Sequence, residues 1–276
     1  MRAVVMTISS LFRVSVLTAL VLCGALGFDQ AVPGIVFSEA VAQDKPKKDT
    51  RETRRTPALR NKVYERLAEA QGFAEAKDYA SAEAILNDMI SEDGKRALNS
   101  YELANVYNLH AFLSYVNEDY AQSLRYYGQV IAQPDIPLAM EINTRFTVAQ
   151  LYFVQEQWQQ GIDALLTWFD LNEKPNAGAY VLLAQGYYQV KDYNLALKNV
   201  ETAIGMHEGE GKLPKEQWYN LARFLYFDRE DFDSALDVLN TLIIYYPKKQ
   251  YWVQASHLYG EKKDEPTQLA LMEAAY

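Results

Sequence analysis

Between residues 63 and 276 the apolar positions recur at three- and four-residue steps, the signature of amphipathic helices, and short polar stretches interrupt them at a near-constant interval. Five of these interruptions share one form: Lys77-Asp78-Tyr79, Glu118-Asp119-Tyr120, Glu156-Gln157-Trp158, Lys191-Asp192-Tyr193 and Glu230-Asp231-Phe232. The aromatic residues that close them stand 41, 38, 35 and 39 residues apart. A period of this size means stacked supersecondary units.

Further columns align on the aromatic anchors. Three residues after each anchor the residue is small: Ala82, Ser123, Gly161, Ala196 and Ala235. Nine before it stand Ala70, Ala111, Ala149 and Ala184, with Arg223 breaking the series, and six before it Phe73, Tyr152, Tyr187 and Tyr226, with Ser114 the exception. Large apolar residues return seven after the anchor, as Leu86, Tyr127, Leu165, Val200 and Leu239. The pattern predicts two helices per unit joined by a tight turn at the polar stretch, with small residues letting the backbones approach and the anchor covering the turn. One such hairpin cannot bury its own apolar face, so the units must stack.

These columns resemble those of the tetratricopeptide repeat family, over residues 63–276. The resemblance implies an all-α, right-handed α-solenoid, a superhelix of stacked antiparallel helix pairs, with about five full repeats and a partial sixth. The units run near 63–96, 101–136, 141–175, 177–208, 214–248 and 250–276. They exceed the family period of 34 residues, and only the fifth ends with the family's proline, at Tyr246-Pro247. Residues 133–137 and 205–214 are therefore expected as longer loops between units. The sixth unit breaks off within an apolar pattern at Ala274-Ala275-Tyr276, so the expectation is an array that continues in a longer protein, the alternative being a last face that docks onto another surface.

In such stacks the first helix of each unit lines the concave side, where extended or helical segments of other proteins bind. Five residues before the anchor that side carries Tyr115, Phe153, Tyr188 and Phe227. Eight before it stand Phe112, Gln150, Gln185 and Phe224; twelve before it Asn108 and Asn220, with Asn143 one turn further back. Amides bond a peptide backbone through donor and acceptor alike, and rings supply apolar pockets, so the expected ligand is a protein or peptide segment. The competing reading buries half of these rings between neighbouring units. The Lys, Arg and Asn clamp by which some members of the family hold a carboxyl terminus has no counterpart at these positions.

Charge changes the picture at the amino terminus. Residues 1–42 read as a secretory signal: Arg2 and Arg13, an apolar run over 14–28, then Ala40-Val41-Ala42 before a cleavage point ahead of Gln43. The run is shorter than the roughly 20 residues of a membrane-crossing helix, so cleavage and a periplasmic protein are expected; an uncleaved anchor is the alternative. Leu22 before Cys23 makes a poor lipidation signal, and the chain's single cysteine would leave with the signal, excluding disulfides and thiolate-held zinc. Residues 43–62 form a basic leader of net charge +5, whereas 63–276 carry −14, an unsuitable surface for nucleic acid. Membrane contact is expected only indirectly or through this basic leader.

Chemistry finds little support. His110, His207 and His257 fall in different units without metal-ligand spacing, and the run from Met206 to Lys212 has glycines and a lysine but not the order that cradles phosphate. No cofactor, metal, small-molecule substrate or enzymatic activity is expected. Residues 54–86, a Thr-Arg-Arg-Thr-Pro leader with the first repeat, resemble the periplasmic repeat proteins of TonB-type energy transduction. That resemblance implies a scaffold in a TonB-linked outer-membrane transport system; an assembly factor of the outer membrane or cell wall, using the repeats as a brace, is the alternative.

Overall fold

The computed structural model describes residues 56–275, apart from 92 and 94–96, so the signal segment 1–42 and residues 43–55 of the leader lie outside the described residues. What is described is all-α and falls into two compact units. The first, 56–173, holds three helix pairs: α1 (Asn61–Glu75) with α2 (Tyr79–Met89), α3 (Ser100–Val116) with α4 (Tyr120–Ile131), and α5 (Leu138–Val154) with α6 (Trp158–Leu171). The second, 174–275, holds α7 (Ala177–Gln189) with α8 (Tyr193–Gly209), α9 (Glu216–Asp228) with α10 (Phe232–Tyr245), and α11 (Lys249–Glu261) with α12 (Glu265–Ala275). No helix of the described residues is long and apolar enough to cross a membrane.

The polar stretch before each anchor is a double cap. In the first pair Lys77 is left-handed and donates its N–H to the carbonyl of Ala74 at 3.0 Å, while Asp78 N–H reaches back to Phe73 at 2.8 Å, the two bonds of a Schellman turn. Asp78 then starts the next helix by accepting from Ser81 N–H at 3.2 Å. One residue thus closes one helix and opens another, which is why an acidic residue adjoins the anchor. The equivalent residues Glu118, Glu156, Lys191, Glu230 and Lys263 share the left-handed backbone, with φ between 58° and 65°, although none is glycine. Asp119, Asp192, Asp231 and Asp264 repeat the cap, but Gln157 makes no side-chain bond to its helix. Gln157→Asp is therefore expected to raise stability by about 1 kcal/mol, read as a higher urea midpoint at an unchanged m-value.

Small columns meet as the pattern requires. Ala70, Ala111, Ala149 and Ala184 are fully buried, as are Ala82, Ser123, Ala196 and Ala235. Contact between the two columns is direct where Ser123 Oγ donates to the Ala111 carbonyl at 2.9 Å. Within each unit cores are shared between successive pairs: Leu67, Leu86 and Met89 pack with Val106, Leu109 and Leu113 of α3, and Leu236, Leu239 and Leu242 with Tyr251, Ala255 and Leu258 of α11. That sharing is how stacking supplies the burial a lone hairpin lacks.

A carboxylate fastens the start of the first unit. Glu102, with no exposed surface, forms a capping box with Asn99 and accepts from Arg60 through the backbone N at 3.0 Å and Nε at 2.7 Å. Burial alone would raise its pKa, but the Arg60 guanidinium and the N–H groups of Asn99 and Arg60 outweigh it and hold the carboxyl below its ordinary value. A folded-state value below the unfolded one stabilises the fold above roughly pH 4.3, and that stabilisation is lost as pH falls through the folded value. Glu102→Gln should cost about 2 kcal/mol at pH 7. Urea titrations from pH 7 to pH 3 should show a smaller loss of stability on acidification for the variant than for the parent.

One connection differs from expectation. The loop expected over 205–214 begins only after Gly209, because α8 continues through Gly205 and His207. Packing overrides the glycine signal: Met206 joins the core around Trp218, and the His207 ring lies 4.5 Å from the Trp218 ring. The true stop is Gly211, at φ 69°, beside the bond from Lys212 N–H to the His207 carbonyl at 2.8 Å.

Candidate protein-interaction surface

The ring column five residues before the anchor has a specific neighbour. Across each turn it meets the anchor ring itself: Tyr115 with Tyr120 at 5.8 Å, Phe153 with Trp158 at 6.2 Å, Tyr188 with Tyr193 at 5.8 Å and Phe227 with Phe232 at 5.9 Å. These separations are those of favourable aromatic pairs, so the column clasps the turn. Phe153 and Tyr188 are 8% exposed and Phe224, edge-on to Tyr188 at 5.5 Å, is 7% exposed. Tyr115 and Phe227 remain half-buried, and burial raises the Tyr115 phenol above its ordinary pKa.

The remaining positions separate by what holds them. Phe112 is half-buried against the core of the first three helices. Asn220 is engaged within its own unit, donating to the Tyr251 hydroxyl at 2.9 Å and to the Glu216 carbonyl at 3.1 Å. Asn143 is exposed on α5; Asn108, Gln150 and Gln185 are half-buried on α3, α5 and α7. The side-chain amides of these four make no hydrogen bond among the described residues. The first unit therefore offers three open amides on its first helices, Asn108, Asn143 and Gln150, and the second offers Gln185.

Sequence reasoning missed the polar cluster around α9. Glu216 accepts from Lys248 Nζ at 2.7 and 2.8 Å and from the hydroxyl of Tyr251, whose side chain is fully buried. Desolvation opposes ionisation of Glu216, yet the bonds from Lys248 and Tyr251 hold its pKa below the ordinary value. Arg223, 5% exposed in the small column, sits with Nη2 3.5 Å from Asn220 Oδ1, and burial lowers its pKa to about 10. Its signal was the break in the alanine series. The histidines stay apart: His110 is buried on α3, His207 lies on α8, and His257 is exposed on α11. Among the described residues no three His, Cys, Asp or Glu side chains could hold a metal ion.

No family model matches the sequence, and no curated protein does at a significant level. Solved structures do resemble it in fold. A tetratricopeptide repeat protein from Parabacteroides merdae superposes with a TM-score of 0.53 at 17% identity, over 77% of this chain and 78% of its own. MamA gives 0.52 at 16%, over 63% and 90%. YrrB, described as a TPR protein with an unusual peptide-binding site, gives 0.50 at 17%, over 69% and 90%. The fold is that of tetratricopeptide repeats, an all-α array of stacked helix pairs.

Proposed function

We propose that this chain is a non-catalytic adaptor of the bacterial periplasm, which holds a segment of a partner protein against its first helices within a TonB-linked outer-membrane system. The observation that carries the binding role is the set of amides Asn108, Asn143 and Gln150 on first helices of the unit at 56–173, with Gln185 repeating the Gln150 column in the other unit, all with donors and acceptors uncommitted among the described residues. Each can bond a peptide group twice, and tertiary structure gives none of them another task. The peptide-binding site named for YrrB supports this reading by analogy of fold. The export signal read over residues 1–42 supports the compartment, and the resemblance of residues 54–86 supports the TonB link.

A photocrosslinking residue at Asn143, with one at exposed Gln129 on α4 as control, tests the proposal in intact cells. Adducts containing TonB-system proteins are expected from position 143 alone. Equal labelling from both positions rejects the surface. Recovery of barrel-assembly or peptidoglycan proteins instead rejects the TonB link in favour of the brace. The mature protein is expected to begin at Gln43 by mass spectrometry, and a chain retaining residues 1–42 would overturn the cleaved signal.

A further inference from the structure

The repeat is broken in the apolar direction at the last turn of α10. Twelve residues after the anchor the columns read Ser91, Ala132, Asp170 and Gly205, but the fifth pair has Ile244. Ile244 is 69% exposed, more than any other large apolar residue among the described residues, and Tyr245 beside it is 57% exposed. Neither helix nor core gains from this choice: isoleucine is a poorer helix former than the alanine of the second pair, and its apolar surface stays in water. A third exposed residue, Leu213 at 47%, stands in the loop between α8 and α9. That loop abuts the end of α10, because the Tyr246 hydroxyl donates to the Pro214 carbonyl at 2.7 Å and Lys248 Nζ to Glu216 at 2.7 Å. Leu213, Ile244 and Tyr245 therefore share one end of the unit at 174–275.

The charge around these three residues selects the occupant. Lys212, Lys215, Lys248 and Lys249 flank them against Glu208, Glu210 and Glu216, a net of +1 on a chain whose residues 63–276 carry −14. All three carboxylates are committed inside the unit: Glu208 accepts from the Tyr219 hydroxyl at 2.8 Å, Glu210 from Lys212 at 2.6 Å, and Glu216 from Lys248 and Tyr251. The four lysines are exposed, and Lys212 and Lys248 keep more than half of their side chains in water despite their ion pairs. An anionic surface is attracted here against the repulsion of the body as a whole. Shape argues for a bilayer and against a peptide. An apolar peptide anchor needs a walled pocket, whereas Ile244 and Tyr245, each more than half exposed, suit a medium that closes around them. Isoleucine and leucine fit the acyl boundary, tyrosine the head-group level, and lysine stems reach phosphates from the same depth.

We propose that this end of the unit is a docking surface for an anionic phospholipid bilayer, with Leu213, Ile244 and Tyr245 entering the interface and the four lysines facing the phosphate head groups. The contact is shallow and reversible, since three side chains bury far less apolar area than a helix lying in the interface. It does not depend on the adaptor reading, and it is distinct from any contact of the basic leader at residues 43–62.

The test places a nitrobenzoxadiazole dye on Leu213→Cys of the full chain, with Cys23→Ser so that one thiol remains, and on exposed Asn194→Cys as control. Asn194 stands about 22 Å along α8 from its last residue, and a dye reports only its own surroundings, so contact made by residues 1–62 leaves both silent. Vesicles of phosphatidylcholine with about 30 mol% phosphatidylglycerol should shift the dye at 213 to the blue and open it to quenching by nitroxide lipids, with at least about fivefold higher affinity than pure phosphatidylcholine. Ile244→Ser combined with Tyr245→Ser should weaken that response at least about tenfold with unchanged circular dichroism, because both side chains are exposed. A dye at 213 that ignores about 5 mM anionic lipid, equal quenching at 194, equal affinity for the two vesicles, or a response that survives the double serine variant would each overturn the surface. A dye that ignores vesicles but responds to an amphipathic peptide of glutamate and leucine would overturn the bilayer in favour of a protein segment.

Discussion

Tyr188→Ala is expected to lower the unfolding free energy of the unit at residues 174–275 by about 3–5 kcal/mol. The ring is 8% exposed, stacks on Tyr193 and receives the edge of Phe224, in a core that includes Ala184, Ala196, Val200 and Leu225. Truncation removes the transfer free energy of a whole ring and leaves a hole between α7, α8 and α9 that the surrounding packed helices close only in part. Phe227→Ala, in the same column but half-buried, should cost about 1–2 kcal/mol. Native-state hydrogen exchange of the α7 and α9 amides separates the two cases. Equal protection losses, or less than about 1 kcal/mol for Tyr188→Ala, would mean that the ring does not close the turn. Consequently alanine at Phe153, Tyr188 or Phe224 probes folding, and loss of partner capture in such variants carries no information about a groove. Polar exchanges at Asn143 or Gln150, which no internal bond employs, are the informative probes of binding.

Period and column content were sufficient to read the helix pairs, because the small residues at plus three and minus nine leave a mark that only close backbone approach requires. The same columns did not say which neighbour covers a ring. Tyr115, Phe153, Tyr188 and Phe227 sit where a ligand-facing residue would, but each also lies one turn from its anchor, and the clasp between the two rings depends on a left-handed residue that here is Lys or Glu instead of glycine. Nothing in local propensity announces that conformation at Glu118 or Lys191. Polar burial was equally opaque. Glu102 carries the same letter as the surface glutamates and is distinguished only by Arg60, 42 residues away. By contrast the break at Arg223 was visible from the start, and it marks a place where the structure departs from plain repeat packing.

Gly161→Leu is expected to be the second most damaging substitution, at about 3 kcal/mol, through overpacking and not through loss of a contact. A Cβ at this position would stand 2.8 Å from Phe153 Cε1 and 2.9 Å from Cδ1, inside any real carbon–carbon contact, and the ring it meets is itself pressed toward Trp158. Opposing this, removing glycine from the first turn of a helix recovers up to about 1 kcal/mol of backbone entropy. For Gly161→Ala the two effects should nearly cancel, since Tyr188 sits beside Ala196 at the same pair of columns and shows that a tilted ring and a methyl group coexist. Leucine has no such arrangement available in any pair. The clash predicts a strong coupling: Phe153→Ala combined with Gly161→Leu should be less unstable than the sum of the single variants by at least about 1 kcal/mol, because the side chain of one fills the space the other vacates. Additive unfolding energies in that double-mutant cycle would show that α5 and α6 are not held at the separation the missing Cβ permits.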